Sequence, residues 1–298
     1  MVRVVDPDTG GYEPGQTRVD VVVVNHNAAK DLGACMASLV AEPVGRIVVV
    51  DNDSHDSSRT LIGEWSRAHP NIVWLPTGCN LGFGGGANRG FAATTSSLVL
   101  LLNPDAVVVP GAVASMSAAM EDDPGLGAVG PQVTNLDGAR YPSARAFPNM
   151  VDAMAHGALG LIHPGNRWSA RYRNPDVVDW VSGTAMLLRR TALEQVGGFD
   201  ESFFMYVEDV DLCWRLRLSG WCVGYVPKAL VRHRIGGSSE HRPYRMIAAH
   251  HRSLWRFAWR TTRGANRLLL PVVAVGLLAR TVVAAFARLV RKTPPAAQ

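Results

Sequence analysis

The sequence predicts an α/β fold, a mostly parallel central sheet flanked by helices with a C-terminal helical extension, and three observations carry that prediction. Short apolar, β-branched runs at residues 19–24, 47–50, 71–75 and 98–102 alternate with helical periodicity, the signature of βαβ units. The runs lack polar alternation, as strands covered on both faces do. Most of them end in polar residues, Asn25-His26-Asn27, Asp51-Asn52-Asp53-Ser54 and Asn103-Pro104-Asp105. This places those residues at the carboxyl edge, where open α/β sheets bind ligands.

Taken in order, residues 1–16 hold Pro7, Gly10, Gly11, Pro14 and Gly15 and read as a flexible leader. The strand at 19–24 leads into a helix through Leu39, the strand at 47–50 into a helix over 56–68, and 71–75 forms a third strand. Residues 80–90 are a Gly-rich loop that opens a helix over 91–95, and 98–102 is the fourth strand. A helix over 111–120 and a strand over 127–133 follow, then loop-rich sequence over 141–173. The pattern predicts one domain over 17–240 and a basic, apolar helical extension over 241–298.

Composition narrows the function. Cys35, Cys79, Cys213 and Cys222 show neither zinc nor disulfide spacing, and the N-terminus shows no apolar signal segment, so reduced thiols facing the cytosol are expected. The net charge of +5 hides an asymmetry: 11 of the 30 Lys and Arg and none of the 25 Asp and Glu lie after Glu240, leaving 19 against 25 before it. A purely basic extension on an acidic body fits an anionic membrane surface, and no nucleic acid partner is expected. Nothing in the pattern bears on oligomeric state.

Four groups of residues carry chemistry. Pro104 ends a strand so that Asn103 and Asp105 share a tight turn at the ligand edge, and such oxygens suit a divalent cation that also holds a diphosphate. Asp51 at its strand tip can accept the ring N–H of uracil or thymine, with Asp53 near a sugar hydroxyl; Ser54 and Asp56 fit helix capping better. The Gly-rich loop matches neither the P-loop nor the dinucleotide fingerprint; its backbone can approach a ligand, with Arg89 available to a phosphate, or it is a connector. Asn25, Asn80, Gly82, Gly85 and Asn88 complete the donor-binding candidates on these two edges. Glu208, Asp209 and Asp211 stand at a helix start, where neighbouring carboxylates raise one another's pKa and suit one of them to take a proton from a hydroxyl. His233 adds a ligand that could complete a metal site begun at Asp105.

The string Gly-Gly-Phe-Asp-Glu-Ser-Phe-Phe-Met-Tyr-Val-Glu-Asp-Val-Asp-Leu-Cys-Trp-Arg at 197–215, with Asn103-Pro104-Asp105, carries a family resemblance. The chain resembles the inverting family 2 glycosyltransferases of the GT-A fold, and among them the rhamnosyltransferase-like branch, over about residues 19–238. The resemblance implies that Asn103-Pro104-Asp105 stands for the family's Asp-X-Asp, that Asp51 binds the base and that Asp209 is the general base. It further implies that His233 is an additional metal ligand and that Glu208 and Asp211 line the acceptor site. Mg²⁺ or Mn²⁺ would be the cofactor, dTDP-L-rhamnose the donor and a polyprenyl-diphosphate-linked sugar the acceptor, in cell-envelope polysaccharide synthesis. Asn103 departs from the usual Asp and weakens the expected metal grip without nucleotide. Another hexosyl- or galactofuranosyltransferase using a UDP-sugar would share these residues, and a non-catalytic member should have lost them.

In the extension, 246–259 reads as a helix mixing Trp255, Phe257 and Trp259 with Arg252, Arg256 and Arg260, and 268–290 is an apolar run interrupted by Pro271 and Arg280. A spanning helix needs about 20 apolar residues without a central charge. Arg280, Arg288, Arg291 and Lys292 share one side, so a peripheral helix on the cytoplasmic membrane face is expected; packing against the body is the alternative.

Overall fold

A computed structural model describes residues 18–147, 177–234 and 243–291. The expected leader lies outside the described residues, as do most of the expected loop over 141–173 and the side chains of Arg288, Arg291 and Lys292.

The first half follows the βαβ pattern: β1 (Val19–Asn25), α1 (Ala29–Val40), β2 (Ile47–Asp51), α2 (Ser58–Ala68), β3 (Ile72–Pro76), α3 (Gly82–Ala92) and β4 (Leu98–Leu102). Then come β5 (Ala106–Val108), α4 (Ala112–Asp122), β6 (Leu126–Thr134), and the short β7 (Arg140–Tyr141), β8 (Ala144–Arg145), β9 (Val177–Val178) and β10 (Trp180–Val181). The chain continues with β11 (Ala185–Arg189), α5 (Arg190–Gln195), α6 (Glu208–Leu218), β12 (Cys222–His233), α7 (Pro243–Thr261) and, after a 3₁₀ turn, α8 (Leu270–Arg291).

The main sheet runs β3-β2-β1-β4-β11-β6-β12-β5, with β7 on β6 and β9 on β12. Strands β3, β2, β1 and β4 are parallel, as the sequence predicts. Beyond β4 the sheet is mixed: β11 enters antiparallel to both β4 and β6, while β12 runs parallel to β6 and antiparallel to β5. The β-branched runs are buried because both faces are covered. Val21, Val23, Ile47, Val49, Leu100 and Leu102 pack with Leu32, Met36, Ile62 and Met116 on one side. The alternate residues Val22, Val24, Val48, Val50, Val99 and Leu101 pack with Ala87, Phe91, Phe199 and Leu212 on the other.

The Gly-rich stretch is a helix rather than a loop, a correction with a steric cause. A Cβ at Gly86 would stand 2.7 Å from Val24 Cγ1, and one at Gly90 would stand 2.3 Å from Val22 Cγ1. The glycines let α3 lie directly on β1. Asp20, 1% exposed, is a second feature the pattern does not announce: it accepts the Arg46, Thr95 and Ser96 N–H groups at 2.9, 2.8 and 3.0 Å. Burial pushes its carboxyl up, but these bonds prevail and hold it below the ordinary aspartate value.

The extension divides. Helix α7 buries Phe257 and Ser253 against the body, whereas Leu268, Val272, Val275, Leu278 and Val282 remain exposed along α8 and the turn before it. Pro271 does not interrupt α8; it sits in its first turn, where proline is tolerated.

Candidate active site

At the carboxyl edge of the parallel strands, Asn25 pairs in register with Asp51. Ser54 ties the two tips together: its Oγ accepts from Asn25 Nδ2 at 2.9 Å, and its N–H donates to Asp51 Oδ1 at 3.1 Å. Asp51 is 2% exposed and its other oxygen lies 3.4 Å from Arg59 Nε. Asn52 Nδ2 donates to Gly82 O at 2.9 Å and to Asn80 Oδ1 at 3.2 Å, pinning the start of α3 to the same edge. Asp53 stands at the rim with φ 65, its Oδ2 3.5 Å from His55 Nε2. The structure thus brings Asn25, Asp51, Asp53 and Asn80 to one edge.

Other predicted donor residues serve the protein instead. A Cβ on Gly82 would meet Phe204 O at 2.3 Å, and one on Gly85 would meet Leu81 Cβ at 2.9 Å, so both glycines answer to protein contacts. Asn88 is fully committed: Oδ1 accepts Phe199 N–H at 2.9 Å, and Nδ2 donates to Phe199 O and Glu201 Oε1 at 2.9 and 3.0 Å. Arg89 is exposed in the last turn of α3, about 10 Å along the helix from Gly82 and toward the opposite edge of the sheet.

One turn of chain away from the base edge, the Asn103-Pro104-Asp105 turn meets β12. His233 Nε2 stands 3.0 Å from Asp105 Oδ1, both side chains nearly buried, and Arg234 N–H donates to Asp105 O at 3.0 Å. His233 Nδ1 is buried without a hydrogen-bond partner. Among the described residues, no cluster of three or more His, Cys, Asp or Glu is present. An adjacent carboxylate and imidazole fit a divalent cation as a two-point hold, with the remaining ligands coming from diphosphate and water.

The acidic turn reaches the same place through β11. Thr184 O accepts Asn103 N–H at 2.9 Å, and the preceding Gly183 N–H donates to Asp209 Oδ2 at 2.9 Å. Two adjacent residues therefore bridge the Asn103-Pro104-Asp105 turn and Asp209. Burial pushes the Asp209 carboxyl above its ordinary value, although the Gly183 and Val210 N–H groups and Arg145 pull the other way. Glu208, buried with Oε2 unpartnered, is driven well up by burial and then by Asp209. Asp211 departs from the expected acceptor-lining role: it is 0% exposed and clamped by Arg215 Nε at 2.7 Å and Arg260 Nη1 at 2.8 Å. Tyr206 and Val207, with φ 68 and 70, turn the chain into α6 through a conformation that β-branched residues rarely adopt.

Sequence reasoning assigns no site role to Asn52, Gly183, Thr184, Arg145 or Arg260. Asn52 lies within a quoted motif; the others act through contacts across the fold that a local pattern does not show.

The sequence profile described as "Glycosyltransferase like family 2" matches residues 14–264. The N-acetylglucosaminyl-diphospho-decaprenol L-rhamnosyltransferase of Mycobacterium tuberculosis is 37% identical over 257 residues, 80% of this chain and 82% of that one. Among solved structures, GalNAc-T7 with UDP, GalNAc and Mn²⁺ superposes with TM-score 0.59 at 16% identity, covering 76% of this chain and 46% of the other. The mannosyltransferase PcManGT of Pyrobaculum calidifontis with GDP-Man and Mn²⁺ gives TM-score 0.58 at 17% identity, covering 96% and 81%.

Proposed function

This chain belongs to glycosyltransferase family 2 and has the GT-A fold, and on that premise we propose that it transfers L-rhamnose from dTDP-L-rhamnose to a polyprenyl-diphosphate-linked sugar. The observation that carries the chemistry is the Gly183-Thr184 bridge, which links a carboxylate of raised pKa to the turn that carries Asp105 and, through it, His233. The donor and acceptor classes follow the rhamnosyltransferase relative.

Asp209 is the general base. It takes the proton of the acceptor hydroxyl as that oxygen bonds to the anomeric carbon and the bond to the nucleoside diphosphate breaks, in one inverting displacement. Asp105 and His233 would hold Mg²⁺ or Mn²⁺, which would offset charge on the diphosphate. Asp51 receives the base edge, with half-exposed Arg59 as the group it displaces, and Asp53 the ribose.

The enzyme works at the cytoplasmic membrane face. The exposed apolar face of α8, Trp259 at 55% exposure and an extension without acids form an interfacial surface; 264–282 is long and apolar enough to span as well. The direct test is transfer by the full chain, followed by mass spectrometry, from a panel of dTDP- and UDP-sugars to a polyprenyl-diphosphate sugar with Mg²⁺ or Mn²⁺. Product from dTDP-L-rhamnose alone is expected. Product from a UDP-hexose in its place would overturn the donor assignment.

A further inference from the structure

The extension reaches into the catalytic machinery. Along α7, Phe257 packs with Phe203, Val207 and Val210. Ser253 Oγ donates to Met205 O at 3.0 Å, and the His250 ring lies 5.2 Å from that of Tyr206. Arg260 donates from Nη1 to Asp211 Oδ1 at 2.8 Å and from Nη2 to Asp200 Oδ2 at 2.5 Å, its guanidinium 5.6 Å from the Phe203 ring.

These contacts share a target. They fall on 200, 203, 205, 206 and 207, the segment that leads into Asp209, and on Asp211 just after it. Two consecutive non-glycine residues in that segment, Tyr206 and Val207, stand at positive φ, a conformation that persists only where surroundings enforce it. The body supplies part of the enforcement, for example through Phe204 O, which accepts Phe83 N–H at 3.0 Å; α7 adds to it. Arg260 grips both ends by ion pairs, Asp200 before the strained pair and Asp211 beyond it.

We infer that Arg260 is a positioning residue for the transfer reaction: from the basic extension it fixes the 200–207 segment and the first turn of α6, and so holds Asp209 on Gly183. A helix that merely added stability would leave the geometry of the base unchanged once folded. The inference rests on Asp209 being the base, and the test separates the two.

The experiment uses the full chain. Nucleotide-binding sites are counted by calorimetric titration with whichever of dTDP or UDP the parent binds, and transfer is measured at saturating substrates, giving kcat per binding site. Arg260→Met should lower kcat per site by roughly 10–100-fold while donor KM changes little, because misplacing a catalytic group by about 1 Å costs that much. Arg260→Lys, which keeps one ion pair, should recover part of it. Unchanged kcat per site in both variants overturns the inference. If Arg260→Met does not fold, Arg260→Gln takes its place under the same criterion, and unchanged kcat per site there overturns it too. Turnover surviving in Asp209→Asn would refute the base assignment alone, leaving the Arg260 result readable as control of another group on the same turn.

Discussion

The two sides of the active site are held together differently. On the donor side, contacts are close in sequence: Asn25 to Ser54 spans 29 residues, Asn52 to Gly82 spans 30, and Asp51 to Ser54 spans 3. On the catalytic side they are remote: Asp105 to His233 spans 128 residues, Asn88 to Phe199 spans 111, and Arg260 to Asp200 spans 60. Strand tips in parallel register deliver the donor side almost automatically. The catalytic side exists only because β11 and β12 return to the same edge and α7 closes over it. A substitution on the donor side should therefore act through the ligand it touches, while one on the catalytic side can act through architecture.

The sharpest test of that contrast is Asp209→Asn. It preserves shape and removes the proton acceptor, so turnover should fall by roughly 10²-fold or more with nucleotide affinity unchanged. Normal turnover would move the role to Glu208.

Next in size is a pair on opposite sides of the question of what binds metal and nucleotide. Asp105→Ala should cost metal-dependent nucleotide affinity at least the roughly 10–100-fold that loss of even a supporting partner costs. Asn88→Ala should leave that affinity alone and lower the melting temperature, because three hydrogen bonds to the 199–201 segment go with it, about 2–3 kcal/mol together. Calorimetry and thermal melts separate them; a donor-affinity loss in Asn88→Ala would restore it to the binding site.

The smallest effect belongs to Glu208→Gln. A carboxyl whose folded pKa is raised binds protons more readily folded than unfolded, so stability falls as pH rises from the ordinary glutamate range through the raised value. Gln removes that slope. The variant should melt higher than the parent at pH 8, with the difference closing as pH drops to the ordinary glutamate range; equal melting at both ends would mean that Glu208 carries no strained charge.

The same contrast explains what could be read in advance. Strands β1 to β4, their helices and Asp51 and Asp105 at the tips follow from β-branched runs and the residues that end them. The glycines of α3 misled because glycine is equally suited to a loop near a ligand and to close packing on Val22 and Val24, and only the neighbouring strand decides. Asp209 and Asp211 are two residues apart on one helix and indistinguishable by pattern. Their fates were set by Gly183 and by Arg260, far away in the chain. The charge asymmetry hides the role of Arg260 for the same reason: it finds both of its acids in the body.

The reach of Arg260 also has a bearing on the order of events at the ribosome. Asp105 is made 155 residues before it, which at about 5–20 residues per second is roughly 8–30 s of synthesis. During that interval the nascent chain has the strands for a nucleotide site but not the helix that steadies its base. A partly made enzyme bound to sugar nucleotide would thus be poorly equipped for transfer, and competence would arrive with the extension proposed to face the lipid.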